Sequence, residues 1–335
     1  MSAIINILAD DARDLFGTLS QLLPSKTEAV PIGLQLRNSV LSLTLNNGYV
    51  ATYCKDVNSS DEWETTFMYQ DTHPILTYGD DMTIECDQTG ITLTSTYCEC
   101  SFPVAYSTLS KLDFDNYNFI QMESVKESPI RIFGKLGLER IYKTTYPVYV
   151  RDNIAIVKYP SFYAQVRVPE PFHGISLSLA HIALVEKFKA ESYSQENPQM
   201  LILRRGPWTV ALPCTTSMQG NNFIELLDGM RSAMKMSFKD LLDSVRVLSR
   251  VKNTDYCTIV IYDGGIRTTV SNSNVTTSLQ FGDTTADPVS TFTIPISVWI
   301  MMLNAVGDTT AEILLGGGKL CLRNQEVAML LRVAA

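Results

Sequence analysis

Apolar and polar residues alternate along much of this chain in short paired runs joined by turn residues, the period-two signature of antiparallel hairpins. One such unit recurs three times, as MTIECDQTGITLTSTYCECSFPV (82–104), QMLILRRGPWTVALPC (199–214) and AEILLGGGKLCLRNQEVAMLLRV (311–333). Its turn glycines, Gly90, Gly206 and Gly317, are 116 and 111 residues apart. A second hairpin lies upstream of each: SVLSLTLNNGYVATYC (39–54), PVYVRDNIAIVKYPSFYAQVRV (147–168) and DYCTIVIYDGGIRTTVSN (255–272). Turns are expected at Asn47-Gly48, Asp152-Asn153 and Gly264-Gly265, residues that tolerate positive φ. With Gly48, Asn153 and Gly264 as markers the spacings are 105 and 111. Two independent marker sets thus return one period, about a third of the chain, and predict three similar domains.

Helical periodicity fills the intervals. Apolar positions at 3.6-residue spacing predict helices over Ala9–Leu23, Leu136–Tyr146, Ser178–Ala190, Met236–Lys252 and Ile296–Val306, with at most one turn over His73–Tyr78. Each third therefore reads as helix, strands, helix, strands, an α+β architecture with antiparallel sheets. The acidic stretch Ser107–Glu127 and the polar stretch Thr215–Asn222 are candidate linkers. The expected division is a domain over 1–107, a linker over 108–127, and domains over 128–217 and 218–335.

Composition narrows the class. The 335 residues are 45% hydrophobic and 19% charged, which excludes disorder and a disulfide scaffold. The longest apolar run, Val298–Leu303, is far short of a membrane span. No basic leader precedes an apolar stretch at the amino terminus, and the seven cysteines form no CxxC, so a reduced, cytoplasmic protein with mostly buried thiols is expected. No membrane partner is expected.

Signals for catalysis or cofactors are weak. Gly316-Gly317-Gly318-Lys319 lacks the earlier glycine, the following Ser or Thr and the helix of a phosphate loop, and reads as a tight hairpin turn. Cys98 and Cys100 could share a strand face, but no second Cys or His pair lies near for zinc, so they read as core thiols. His181 reads as a packed or half-exposed helix residue. No catalytic signature is present, and neither an enzyme, a metal nor a cofactor is expected.

Charge supplies the positive signal. The net charge is −8, yet residues 1–128 carry −12, residues 129–217 carry +5 and residues 218–335 carry −1. Within Met236–Lys252, Lys239, Arg246 and Arg250 fall within about 40° of one another on a helical wheel, opposite Leu241, Val245 and Leu248. Lys252 extends the set, against Asp240 and Asp243. In the second third, Lys135, Arg140 and Lys143 lie on or near the opening helix, with Arg131 and Arg151 at its flanks, and Lys187 and Lys189 lie in the midway helix. Such stripes suit sequence-independent contact with phosphates, without base reading or aromatic stacking platforms. The same residues also fit a repetitive β-rich structural or virion protein whose basic helices pack against acidic neighbours, with no DNA role.

In its order of basic helix (SFKDLLDSVRVLSRV), hairpin (TIVIYDGGIRTTVSN), strand (TTSLQF), strand and helix (FTIPISVWIMMLNAV) and closing EILLGGGKLCLRNQEVAMLLRV, the final third resembles the last domain of the bacterial-type sliding clamps, the ring-shaped processivity factors of DNA polymerases. The resemblance implies a non-catalytic protein with three clamp-like domains of two short helices each, two chains closing a six-domain ring around double-stranded DNA. It implies a DNA polymerase and an ATP-dependent clamp loader as partners, and the homodimer as the assembly. It also implies a partner-peptide pocket beside the carboxyl-terminal strand, near Val327, Met329 and Leu331, with Tyr159 and Phe162 on the second-domain side. The resemblance is weaker over 126–217 and weakest over 1–107. Departures are the acidic helix Ala9–Leu23, with Asp10, Asp11 and Asp14, and KYPSFYAQV in place of the polar, glycine-containing segment usual beside that pocket. They point to a divergent clamp, a virus-encoded one acting in the host cytoplasm being a candidate source.

Overall fold

The computed structural model describes residues 3–23, 30–69, 81–87, 89–103, 109, 114–122, 147–151, 154–167, 174–215, 226–251, 253–307 and 309–332. The expected helices over His73–Tyr78 and Leu136–Tyr146 lie outside these residues. Among the described residues no helix is long and apolar enough to cross a membrane.

The strands fall into three series with one connectivity. The first series is β1 (Ala3–Ile7), α1 (Ala9–Leu22), β2 (Pro31–Arg37), β3 (Val40–Asn46), β4 (Val50–Asp56), β5 (Trp63–Met68), β6 (Met82–Cys86), β7 (Gly90–Ser95) and β8 (Glu99–Pro103). The second is β9 (Ile120–Gln121), β10 (Val148–Arg151), β11 (Ile154–Lys158), β12 (Phe162–Arg167), β13 (Ile175–Leu177), α2 (Leu179–Phe188), β14 (Ser192–Ser194), β15 (Met200–Arg205) and β16 (Trp208–Pro213). The third is β17 (Arg231–Ser237), α3 (Lys239–Leu248), β18 (Tyr256–Tyr262), β19 (Gly265–Ser271), β20 (Thr276–Gly282), β21 (Ser290–Pro295), α4 (Ile296–Val306), β22 (Thr310–Gly316), β23 (Lys319–Arg323) and β24 (Val327–Arg332). Three β-rich domains of one topology follow, each holding two three-stranded meanders.

The meanders join in one recurring way. In one eight-stranded antiparallel sheet, β5-β2-β3-β4-β16-β15-β14-β9, the third strand of the first series' early meander pairs with the third strand of the second series' late meander. In the other, β13-β10-β11-β12-β24-β23-β22-β17, β12 pairs with β24 by the same rule. The remaining meanders form the four-stranded sheets β1-β6-β7-β8 and β20-β19-β18-β21, which leave β8 and β20 as edges. The chain accordingly separates into two compact units, Met1–Ser124 with Ala183–Thr215 and Val125–Ile182 with Thr216–Ala335. The second series is divided between them because its two meanders complete different sheets.

Helix formation follows the apolar stripes. In α1, Ala12, Leu15, Phe16, Leu19 and Leu22 are buried, and Asp10 and Asp11 sit in the first turn, where the helix dipole favours acids. The Ala9 N–H donates to Asp81 Oδ1 (2.7 Å), satisfying one of the open donors at that end. α4 is apolar almost all round and buries Trp299, Met302 and Leu303; Gly307, at φ 59°, ends it. At the first join Tyr53 faces Trp208 in the ladder, both side chains are buried, and their rings meet edge-to-face at 5.3 Å. Such a pair adds about 0.5–1.5 kcal/mol beyond the area it buries.

Several expectations need correction. The helix expected over Met236–Lys252 is shorter, because Met236 and Ser237 pair with Ala311 and Thr310 as the end of β17. The 255–272 turn falls at Asp263-Gly264, one residue earlier than expected. Gly265 is already in β19, where a Cβ would lie 1.9 Å from the Asp283 carbonyl oxygen. Likewise Gly90 starts β7 rather than occupying the turn, since a Cβ there would meet the Phe102 oxygen at 2.4 Å. The Gly317-Gly318 turn is as expected, with both residues at positive φ. The cysteines are all free: Cys86, Cys214, Cys257 and Cys321 are buried, but Cys98 and Cys100 are half-buried at the open edge by β8 and Cys54 is exposed. Cys98 and Cys100 are thus not core thiols.

Candidate functional site

On α3 the apolar stripe of Leu241, Leu242, Val245 and Leu248 is buried, so the opposite face meets solvent. Lys239 and Arg246 are exposed on that face, and Arg250 is exposed in the turn that follows the helix. The Arg250 N–H donates to the Val247 carbonyl (3.1 Å), tightening the chain there. The positive stripe is weaker than the sequence suggests. The Arg246 guanidinium donates to Asp243 Oδ1 (3.1 Å) and to Asn304 Oδ1 on α4 (2.6 Å). Arg231 and Lys235, which precede this helix in the sequence, lie on β17.

Lys187, in the last turn of α2, and Lys189, just beyond it at φ 50°, are both exposed. Lys135, Arg140, Lys143 and Lys252 lie outside the described residues.

The acids of α1 are largely compensated by cations distant in sequence. Lys55 on β4 forms an ion pair with Asp11, and Asp10 pairs with Arg13 (2.9 Å). Arg205 on β15 lies 3.8 Å from Asp14, donates to the Thr18 hydroxyl and to the Phe188 carbonyl (2.9 Å), and stacks over the Phe188 ring at 5.1 Å. Sequence reasoning missed Lys55 and Arg205, whose role depends on sheet pairing.

A cavity of about 340 Å³ opens beside the β12·β24 join. Its apolar lining is Tyr159, Pro160, Phe162, Tyr163, Leu226 and Leu330, and Lys158, Ser161 and Arg332 complete its described wall. The loop between β11 and β12 is fixed by a backbone bond from Tyr159 to the Phe162 carbonyl (2.7 Å), and the Arg332 N–H donates to the Ser161 carbonyl (2.8 Å). Tyr163, Leu314, Cys321, Ala328 and Leu330 form a buried cluster beneath, with Leu226, Leu227 and Met230 packed on it. Burial pushes the Tyr163 phenol well above its usual range.

Tyr159 and Phe162, expected from the sequence beside a partner-peptide pocket, line this cavity. Val327, Met329 and Leu331 do not line it. They alternate with Ala328, Leu330 and Arg332 along β24 and so project from the other sheet face.

Compared with solved structures, the chain matches along nearly all of its length. It aligns with the DNA polymerase III subunit beta of Pseudomonas aeruginosa at a TM-score of 0.78 and 9% identity, over 99% of this chain and 100% of that one. The fold is that of a bacterial sliding clamp. The Helicobacter pylori beta clamp bound to a DNA ligase peptide gives 0.73 at 11% identity, over 99% and 100% of the two chains. The DnaN sliding clamp of Bartonella birtlesii bound to griselimycin gives 0.74 at 12% identity, over 100% of both. No protein-family model and no curated protein matches the sequence. At this identity the clamp likeness is one of backbone topology, carried by the repeated meanders rather than by shared motifs.

Proposed function

We propose that this protein is a non-catalytic DNA sliding clamp. Two chains close a six-domain ring around duplex DNA and tether a replicative polymerase, after opening by an ATP-dependent loader in the cytoplasm. The domains are those of 1–107, 128–217 and 218–335, with β9 of the stretch 108–127 completing the sheet of the second. The observation that carries this reading is the match to clamp structures over 99% of the chain.

The sheet edges support the ring. Within a chain, third meander strands meet as β4·β16 and β12·β24. β8 and β20 are the equivalent third strands left open, so pairing β8 of one protomer with β20 of another forms a third join of the same kind. Tyr97 beside β8 and Val275 beside β20 are exposed apolar residues at these edges.

Lys187, Lys189, Lys239, Arg246 and Arg250, with Lys135, Arg140, Lys143 and Lys252, supply phosphate contacts, and ring closure supplies retention. Weak contact is compatible with sliding. Partner peptides dock in the cavity of Tyr159, Phe162, Tyr163 and Leu330. Retention on DNA tests the topology: protein loaded on a nicked circle should stay bound in high salt and be lost once the circle is cut. Equal loss from the intact circle would refute encirclement.

A further inference from the structure

We infer that the cavity beside the β12·β24 join selects an extended partner segment in which bulky apolar side chains adjoin acidic ones, the acids being held by Lys158 and Arg332. The inference rests on reading the cavity as a peptide-docking site and adds the chemistry of its occupant.

The floor is apolar and fixed. Tyr159, Phe162, Tyr163 and Leu330 are buried, and the paired strands hold their backbones in the ladder. A cavity of about 340 Å³ lies at the small end of the range for ligand pockets and takes one or two side chains rather than a whole cofactor. The wall is charged with one sign. Lys158 and Arg332 are both exposed, and among the described residues no carboxylate lines the cavity. Asp228, the acid of the described segment that carries Leu226, is not part of it.

Among the described residues, these two cations are not committed to an acid, as several in the fold are. Lys55, Arg205, Arg246 and Arg323 each pair with a carboxylate, whereas neither Lys158 nor Arg332 does so among the described residues. Edge protection does not account for them. Charged residues guard open strands, but β11 and β24 are interior strands of an eight-stranded sheet. In a protein of net charge −8, uncompensated positive charge beside an apolar floor complements a partner that brings both kinds of group. The stems of Lys158 and Arg332 cover apolar surface while their heads reach the rim.

The test is fluorescence anisotropy with the full-length protein and three labelled ten-residue peptides, each with two adjacent leucines. In one the leucines adjoin two aspartates, in the second two serines, in the third two lysines. The aspartate peptide should bind about tenfold more tightly than the serine peptide at 50 mM salt, with the gap shrinking at 500 mM. The double variant K158E/R332E, at exposed positions, should keep the wild-type unfolding curve and prefer the lysine peptide. If all three peptides bind equally, and Leu226→Asp weakens all three, the docking reading stands and the charge selection is overturned. Binding by none of them up to millimolar concentration overturns both.

Discussion

Tyr163 on β12 stands directly opposite Leu330 on β24, and both side chains are buried in the cluster under the candidate peptide cavity. One contact therefore serves two purposes: it closes the eight-stranded sheet and forms the cavity floor. Leu330→Ala should destabilise the protein by about 2–5 kcal/mol, the range for truncating a buried leucine. It should also weaken peptide binding. Urea unfolding with anisotropy on the same samples checks both, and an unchanged midpoint would mean that Leu330 is not part of the join's core.

On α3, Arg246 is shared between Asp243 and Asn304, so part of its charge is already committed. Asp243→Asn should strengthen retention on DNA slightly, by less than about threefold, because an exposed ion pair is worth under about 1 kcal/mol. Reversing Lys239, Arg246 and Arg250 to Glu should impair loading or processive synthesis while the unfolding curve stays close to wild type, since all three are exposed. Normal processivity in the triple variant would remove these residues from the DNA path.

Strand β20 alternates exposed and half-buried residues, and even Leu279 and Phe281 remain partly open to solvent. A covering strand from a second protomer would bury them. The protein should scatter light as a particle of about 75 kDa, twice the 37.3 kDa of one chain. Leu279→Asp should return it to the monomer mass with little loss of fold. A wild-type monomer at micromolar concentration would exclude the dimeric ring.

Burial pushes the thiols of Cys257 and Cys321 up to about 12. In the unfolded chain they ionise near pH 9. Their burial thus leaves stability unchanged below about pH 9 and lowers it progressively between pH 9 and 12, as thiolate forms only in the unfolded state. At pH 8 a disulfide reagent should modify exposed Cys54 within minutes and Cys257 and Cys321 only on unfolding. Fast labelling of all seven cysteines in the native protein would contradict this packing.

The threefold plan was legible because half-covered strands alternate and turn glycines mark the hairpins. Individual turns were harder. Gly265 and Gly90 look like turn residues but are strand residues, glycine because another backbone approaches them closely. The cavity face of β24 was not legible, since Val327, Ala328, Met329, Leu330 and Leu331 are all buried. A strand covered on both faces has no alternation to read, and only its register against β12 assigns the faces. The acidic helix α1 looked unlike a clamp helix for a similar reason: Lys55 and Arg205, which offset Asp11 and Asp14, come from remote strands.

The pairing of Tyr53 with Trp208, and of Phe162 with Leu331, also bears on biosynthesis. As the polypeptide leaves the ribosome, β4 has no neighbour on one side until Trp208–Pro213 has emerged, and β12 has none until Val327–Arg332 has emerged. Contacts so distant along the chain form late and slowly, and the waiting strands are exposed to wrong partners meanwhile. A nascent chain stalled before Val327 would therefore carry a strand ready to capture a neighbouring polypeptide, making β24 decisive for solubility as well as for partner binding.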